Sequence, residues 1–275
     1  MKSIILTDFG APSSPNELED FLVNLYNRAP TNSEIETATK KYEFIGGSPI
    51  RTKIKNLTEG LRNELENVQV DYAFLYNEPY LKDVIESNIK SGINDIKILP
   101  LFTFYSRKTA IDISKSISYN EGAVKIKVAP EASKVDCIPI VWGNRLNSDI
   151  KGLGNFTLIF IAHSIPKGID VSNQYLQNFR NFAEKISSRV KNKNFLLGFQ
   201  SSRQGWLGPS IYDLEVGPYE DVVVVPLSFL LTNMEILYDL DFEYSKYLKE
   251  KGYRYMRSGP PDDGSDLPKC LASIV

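Results

Sequence analysis

The chain carries a single histidine, His163, in the run Phe160-Ile161-Ala162-His163-Ser164-Ile165-Pro166. The apolar, β-prone residues before it predict a strand that ends on the imidazole, and Pro166 turns the chain just beyond. An imidazole presented at a strand end can carry acid–base or metal chemistry near neutral pH. The alternative is a hydrogen-bonded histidine with a structural role. A second group is acidic. Glu235, Asp239 and Glu243 are spaced i, i+4, i+8 in the helical pattern Thr232–Lys251, so a helix stacks them in one column. Like charges in such a column repel by roughly a few tenths of a kcal/mol per exposed pair. A column kept despite that repulsion suits the guiding of cations or the relay of protons. The plainer reading is that Thr232-Asn233-Met234-Glu235 is a capping box, with Glu235 serving backbone donors and the other two acids on a solvated face. A histidine beside a carboxylate suits a divalent first-row metal such as Fe²⁺, or a general base with an orienting acid.

Short β-prone runs must position these groups. Strands are predicted at Ser3–Thr7, Asp71–Leu75, Ile96–Leu101, Val124–Val128, Thr157–Ala162, Phe195–Gly198, Val222–Leu227 and Tyr253–Met256. Helical patterns alternate with them at Pro15–Tyr26, Ser48–Leu65, Pro79–Ser91, Lys108–Ser118, Asp170–Ser188, Gly208–Leu214 and Thr232–Lys251. This alternation predicts an α/β fold with parallel sheets and crossover helices. An internal echo supports two halves of about four strands each. Ile98-Leu99-Pro100-Leu101-Phe102 resembles Val224-Val225-Pro226-Leu227-Ser228, and the first strand of each half runs into a turn closed by proline, Pro12 and Pro166. The break is expected near residues 130–150, where Pro139, Gly143, Asn144 and Asn147 punctuate the chain. Ligands of such sheets bind beyond the carboxyl ends of the strands, where both prolyl turns lie. His163 ends the first strand of the second half and Glu235 opens the helix after its third. Those strands are commonly adjacent in a doubly wound sheet, which brings imidazole and carboxylate together.

Other segments carry weaker signals. Ile45-Gly46-Gly47-Ser48-Pro49-Ile50 lacks the lysine and spacing of a P-loop and reads as a tight turn with Ser48 as cap and Pro49 at the first helical position. Leu18, Phe21, Leu22 and Leu25 form an apolar stripe that reads as core or, alternatively, as a lip for a flat ligand or a membrane surface. Gln200–Arg203 and Trp206–Pro209 place polar and aromatic groups in a loop after a strand. The net charge of −2 argues against broad nucleic-acid binding. Cys137 and Cys270 form no C-x-x-C, which disfavours a zinc ribbon, an iron–sulfur cluster or a disulfide scaffold. The opening residues lack the apolar run of a signal peptide, and no stretch approaches the ~18 apolar residues of a membrane span. A cytoplasmic protein is expected.

Taken together, these segments resemble ferrochelatase. Asp8-Phe9-Gly10-Ala11-Pro12-Ser13-Ser14-Pro15 resembles the family's opening G-T-P-x-S-P turn. Tyr42–Ile50 resembles Y-x-x-I-G-G-x-S-P-L, and Leu99–Phe102 through Tyr105-Ser106 resembles L-P-L-Y-P-x-Y-S. Ile161–Pro166 resembles S-A-H-x-L-P, and Gln200-Ser201 with Trp206–Pro209 resembles Q-S…W-L-x-P. Val225–Phe229 through Glu235, Leu237-Tyr238 and Asp241 resembles V-P-x-x-F-x-x-x-x-x-E-x-L-Y-x-x-D.

The resemblance implies a chelatase-like fold of two Rossmann-type domains, each with a four-stranded parallel sheet flanked by helices. The expected domains are 1–135 and 136–257, with 258–275 packing on the first and the porphyrin in the cleft between them. It implies insertion of ferrous iron into protoporphyrin IX or coproporphyrin III in haem biosynthesis. His163 and Glu235 match the catalytic and metal-binding positions, and Asp239 and Glu243 the acidic relay beyond them. Phe9, Pro12, Ser48, Pro49, Tyr105, Ser106 and Trp206 match porphyrin-contacting segments. Fe²⁺ enters as substrate, and no prosthetic group or iron–sulfur cluster is expected. A monomer without nucleic-acid partners is expected, and peripheral membrane contact is left open. Three departures stand out. Asn233 occupies a position where many members have a second histidine, the glycine turn is one residue shorter than the common form, and Asp239 replaces a more usual glutamate. A cobalt or nickel chelatase for another tetrapyrrole, and a non-catalytic tetrapyrrole-binding module, are the competing functions.

Overall fold

The computed structural model describes residues 2–117, 124–168, 170–190 and 194–275. Ser118, at the end of one expected helix, lies outside them. The chain divides into two units, Met1–Leu101 with Lys108–Pro130 and Asp262–Val275, and Phe102–Arg107 with Glu131–Pro261.

The first unit holds β1 (Lys2–Asp8), β2 (Val68–Phe74), β3 (Asp95–Pro100) and β4 (Lys125–Val128), all parallel in the order β2-β1-β3-β4. Around them lie α1 (Leu18–Tyr26), α2 (Asn32–Phe44), α3 (Ile50–Glu64), α4 (Leu81–Lys90) and α5 (Arg107–Ile117). The second unit opens with α6 (Ile138–Asp149). It continues with β5 (Phe156–His163), α7 (Asp170–Ser187), β6 (Phe195–Gln200), β7 (Asp221–Pro226), a π-helix (Ile236–Tyr244), α8 (Ser245–Glu250) and β8 (Arg254–Arg257). Its strands are parallel in the equivalent order β6-β5-β7-β8. A last helix, α9 (Asp266–Ala272), packs on α3 of the first unit.

Both sheets are covered on both faces, which is why their central strands read as near-continuous apolar runs. Phe156–Ala162 is buried throughout, as are Ile4, Ile5 and Leu6 of β1. Leu18, Phe21 and Leu22 pack with Tyr76 in a buried cluster, so the α1 stripe is core and not a lip.

The expected strands all form, with ends shifted by a few residues. The helices differ more. α2 was not expected because it buries no residue. Its start is nonetheless a capping box, with Thr31 accepting from the Glu34 backbone and the Glu34 carboxylate accepting from Thr31 N at 2.8 Å. Arg28 closes on the same carboxylate at 2.6 Å, and these bonds hold its pKa down at about 2. α6 fills the stretch read as an inter-domain break. Pro139 sits in the first turn, where no amide donor is needed. Gly143 lets the Arg189 side chain approach to 3.0 Å from where a Cβ would stand. The helix expected over Gly208–Leu214 is only a single 3₁₀ turn, Ile211–Asp213, capped by the Ser210 side chain, which accepts from Tyr212 N.

Candidate functional site

His163 is the last residue of β5, and its position follows from unequal strand lengths. β7 ends at Pro226, opposite Ile161, and Leu227 N still bonds Ile161 O at 2.8 Å. Beyond that point the Ser228 hydroxyl takes over the ladder and accepts from His163 N at 2.8 Å. Tyr175 of α7 donates its hydroxyl to His163 O at 2.9 Å. On the other side His163 is in register with Gln200, the last residue of β6. The imidazole Nδ1 lies 2.7 Å from Ser164 O. A carbonyl can only accept, so Nδ1 carries the proton of the neutral ring and Nε2 presents its lone pair.

That lone pair faces Glu235, with Nε2 to Oε1 at 3.8 Å and both side chains about one-third exposed, 34% and 31%. The other carboxylate oxygen, Oε2, accepts from Gln200 Nε2 at 2.7 Å. Gln200 is itself 2% exposed, and its Oε1 is buried without a hydrogen-bond partner. The helix is capped by Asn233, whose Oδ1 accepts from Ile236 N at 3.1 Å. The cap therefore falls one residue later than a capping box begun at Thr232 requires.

The acidic helix is not the α-helix expected from its spacing. Ile236–Tyr244 is π-helical, and the burial pattern explains why. Ile236, Leu240, Tyr244 and Leu248 are all fully buried, a strict repeat of four. In an α-helix each step of four overshoots a full turn by about 40°. In a π-helix, with about 4.4 residues per turn, it falls short by about 33°. Two π steps and one α step leave the row within about 30° of its starting direction, whereas three α steps would swing it by about 120°. Two π steps turn Glu235, Asp239 and Glu243 through about 66°, against about 80° for two α steps. Asp241 clamps the stretch to β8, accepting from Arg257 Nε at 2.8 and 3.0 Å and from Tyr255 Oη at 2.8 Å. Tyr212 adjoins the column. Burial pushes its phenol up to about 12, and the charges of Glu243 and Asp239 add to the shift.

The other expected site residues fall in both units. In the second, the loop after β6 pairs with the turn after His163, as Leu207 N bonds Ile165 O and Lys167 N bonds Gly205 O. Trp206 is half-buried there, with the Arg203 guanidinium 4.0 Å over its ring. Tyr105 and Ser106 are half-buried in the crossover segment. In the first unit, Phe9 stacks on Tyr76 at 5.4 Å, Pro12 is buried and Ser48 Oγ accepts from Ile50 N at 3.4 Å. Pro49 caps α3, so that helix begins one residue later than expected. Gln200, Ser228 and Tyr175 support the site through single hydrogen bonds that no sequence motif marks. Gln200 was the one within reach, because it ends the strand beside the one that ends on His163.

Among the described residues no group of three or more His, Cys, Asp or Glu side chains could hold a metal ion. His163 Nε2 and Glu235 Oε1 are two potential donors 3.8 Å apart. A metal ion about 2.0–2.2 Å from each donor spans up to about 4.3 Å, so the observed gap admits one without either side chain moving. A cavity of about 780 Å³ at the opposite pole of the second sheet is lined by Asn147, Lys151, Asn155, Asn194 and Glu215, among others. It contains no comparable base–carboxylate pair. Among the described residues no helix is long and apolar enough to cross a membrane.

Residues 1–275, the whole chain, match the Ferrochelatase family. The chain belongs to the ferrochelatase family. It is 28% identical to the ferrochelatase of Thermoplasma volcanium, covering 99% of this chain and 91% of that protein. It is 25% identical to coproporphyrin III ferrochelatase 2 of Bacillus cereus, covering 99% and 92%. Among solved structures, the sirohydrochlorin chelatase SirB from Bacillus subtilis in complex with cobalt superposes with a TM-score of 0.62 at 13% identity, covering 98% of this chain and 92% of that one. The siroheme enzyme CbiX of denitrifying bacteria gives 0.61 at 16%, covering 99% and 96%. These two likenesses establish a chelatase-type fold of paired parallel sheets. Ferrochelatases are enzymes that take iron and a porphyrin as substrates, and in this member Asn233 serves as a helix cap.

Proposed function

We propose that this chain inserts ferrous iron into a porphyrin at the carboxyl end of its second sheet, with His163 and Glu235 as the reacting pair. The observation that carries the reading is the imidazole lone pair facing a carboxylate oxygen across 3.8 Å. Two acceptors turned toward each other favour whatever positive charge comes between them, a proton or a metal ion. Metalation needs both, because the porphyrin gives up two pyrrole protons as the cation enters.

His163 accepts a pyrrole proton at Nε2 or guides the incoming metal. Its Nδ1–H, held by Ser164 O, fixes the ring for either task. Glu235 is the partner ligand or base, steadied by Gln200. Asp239 and Glu243 carry protons or metal along the π-helix. We assign this reaction to a cytoplasmic monomer. The test is anaerobic incubation with Fe²⁺, or Zn²⁺ as surrogate, and protoporphyrin IX or coproporphyrin III in parallel, followed by absorbance. Metalloporphyrin should form and should disappear with His163→Ala, and the faster porphyrin identifies the substrate. Binding of either porphyrin without metalation would instead make the protein a carrier.

A further inference from the structure

Glu131 is a buried carboxylate that the proposed chemistry does not use. It opens the main segment of the second unit, follows β4 and is 5% exposed. Its Oε2 accepts from the backbone N–H of Tyr105 at 2.7 Å. Its Oε1 accepts from Ser133 Oγ at 3.0 Å and from Asn178 Nδ2 of α7, and Lys134 Nζ stands 3.5 Å away. A carboxylate taken out of water is retained only where donors replace its hydration. Here one of those donors is the backbone of the segment that bears Tyr105 and Ser106.

That segment, Phe102–Arg107, belongs to the second unit although the residues on either side of it belong to the first. Two anchors hold it there. Phe104 is buried edge-to-face against Tyr175, Phe179 and Phe182 of α7. Backbone bonds join Ala132 N to Phe102 O, Ser133 N to Thr103 O and Thr103 N to Ser228 O. The apolar anchor fixes where the segment enters the core, and α5 begins at Arg107. Between those points the Glu131 bond to Tyr105 N sets the turn. Ser228 and Tyr175, which touch this segment, also hold the His163 backbone.

We infer that Glu131 is a positioning residue that holds the Tyr105–Ser106 turn in register with the His163 strand end, so that the turn is preformed to receive the porphyrin. The inference rests on the ferrochelatase reading. It assigns to Glu131 an effect on porphyrin binding and none on the metal or on the proton transfers. Burial, with a further contribution from the Glu131 charge, raises the Tyr105 phenol and keeps it neutral, a suitable wall for a flat aromatic ligand.

The test compares the whole protein with Glu131→Gln, each alone and in a Tyr105→Ala/Ser106→Ala background. Porphyrin affinity is read by fluorescence quenching with coproporphyrin III and protoporphyrin IX, and zinc insertion by absorbance. Glu131→Gln should raise porphyrin Kd and KM about tenfold, the scale of one charge-assisted hydrogen bond. The KM for Zn²⁺ and kcat should stay within about twofold, and the porphyrin effect should vanish in the double-alanine background. Unchanged porphyrin affinity, an effect of equal size in both backgrounds, or a fall in kcat alone would each overturn the role. If Glu131→Gln does not fold, Ser133→Ala, which removes one donor to Oε1, should give a smaller rise of about threefold in porphyrin KM alone; no rise overturns the role. Wild-type protein that binds neither porphyrin would overturn the ferrochelatase reading and this inference together.

Discussion

The two sheets share one strand order, yet their carboxyl ends are finished differently. In the first unit several polar side chains there bond one another or the backbone. Tyr76 Oη donates to Asp112 Oδ2 at 2.7 Å, Lys108 Nζ reaches Tyr76 Oη at 2.8 Å and Asp112 at 2.5 Å, and Asn77 Nδ2 bonds Ala11 O at 2.7 Å. Phe9 stacks over Tyr76 and Gly10 seals the turn. In the second unit the strand end leaves an imidazole nitrogen and a carboxylate oxygen facing each other without a bond between them. The same scaffold thus yields a closed corner and an open one. The difference lies in what terminates each strand and not in the sheets, as expected when function resides in sites carried on folds.

The sharpest way to break this comparison is His163→Ala. Loss of a positioned base should lower porphyrin metalation by about 10²–10⁴ with little change in melting temperature, and an active variant would remove the open corner from the mechanism. Gly10→Ala should do the reverse to the closed corner. Its φ of +91° and the Asn77 Oδ1 only 1.8 Å from an added Cβ predict a destabilisation of about 3 kcal/mol or more in urea unfolding. A loss below 1 kcal/mol, roughly the scale of a neutral surface change, would show that the turn can relax.

Asp241→Asn weakens the clamp on the π-helix. It should cost about 1.5 kcal/mol, and zinc insertion should fall with it if the acidic column must stay aligned. Full activity at reduced stability would separate the column from the chemistry. Asp112→Asn, in the hydrogen-bonded group around Tyr76, should cost about 1 kcal/mol and leave kcat within about twofold. The smallest effect concerns Glu34. Its carboxyl sits at about 2 in the folded chain against an ordinary 4.5, so its contribution is present above about 4.5 and fades as the pH falls toward 2. Glu34→Gln should lower Tm by about 1–2 °C at pH 7, and the gap from wild type should close across that acid range. A gap that persists at pH 2 would place the effect in packing.

Strands were the most legible part of the sequence, because buried parallel strands are written as apolar runs bounded by turns. The pairing of His163 with Glu235 was legible for a topological reason, since β5 and β7 are neighbours and each ends near the same corner. α2 was missed because its polar surface hides the helical period, though Thr31 and Glu34 spell its start. α6 was misread because Pro139 and Gly143 look like breakers, whereas one sits in a first turn and the other under an arginine side chain. The π-helix was half visible. The repeat of four in Glu235, Asp239 and Glu243 reads as helical without fixing the helix type, which the matching repeat in Ile236, Leu240, Tyr244 and Leu248 decides through its burial. Gln200, Ser228 and Tyr175 act through a buried amide, a strand-end hydroxyl and a backbone carbonyl, and contacts of that kind leave no periodic trace.

The seating of α9 on α3 has a consequence for the order in which the polypeptide is made. Pro268 lies 2.8 Å from where a Cβ on Gly60 would stand, Lys53 pairs with Asp262 at 2.9 Å, and Lys97 bonds Ile274 O. A ribosome therefore emits most of the first unit long before the residues that cover α3. Between Glu131 and Val275 it adds about 145 residues, which at about 5–20 residues per second takes roughly 7–29 s. The second unit needs only Phe102–Arg107 from upstream, so it is fully synthesised while the first still shows a bare helix face. Completion of the two units thus runs opposite to the order in which they begin, and the half that bears His163 is the first with all its parts in hand.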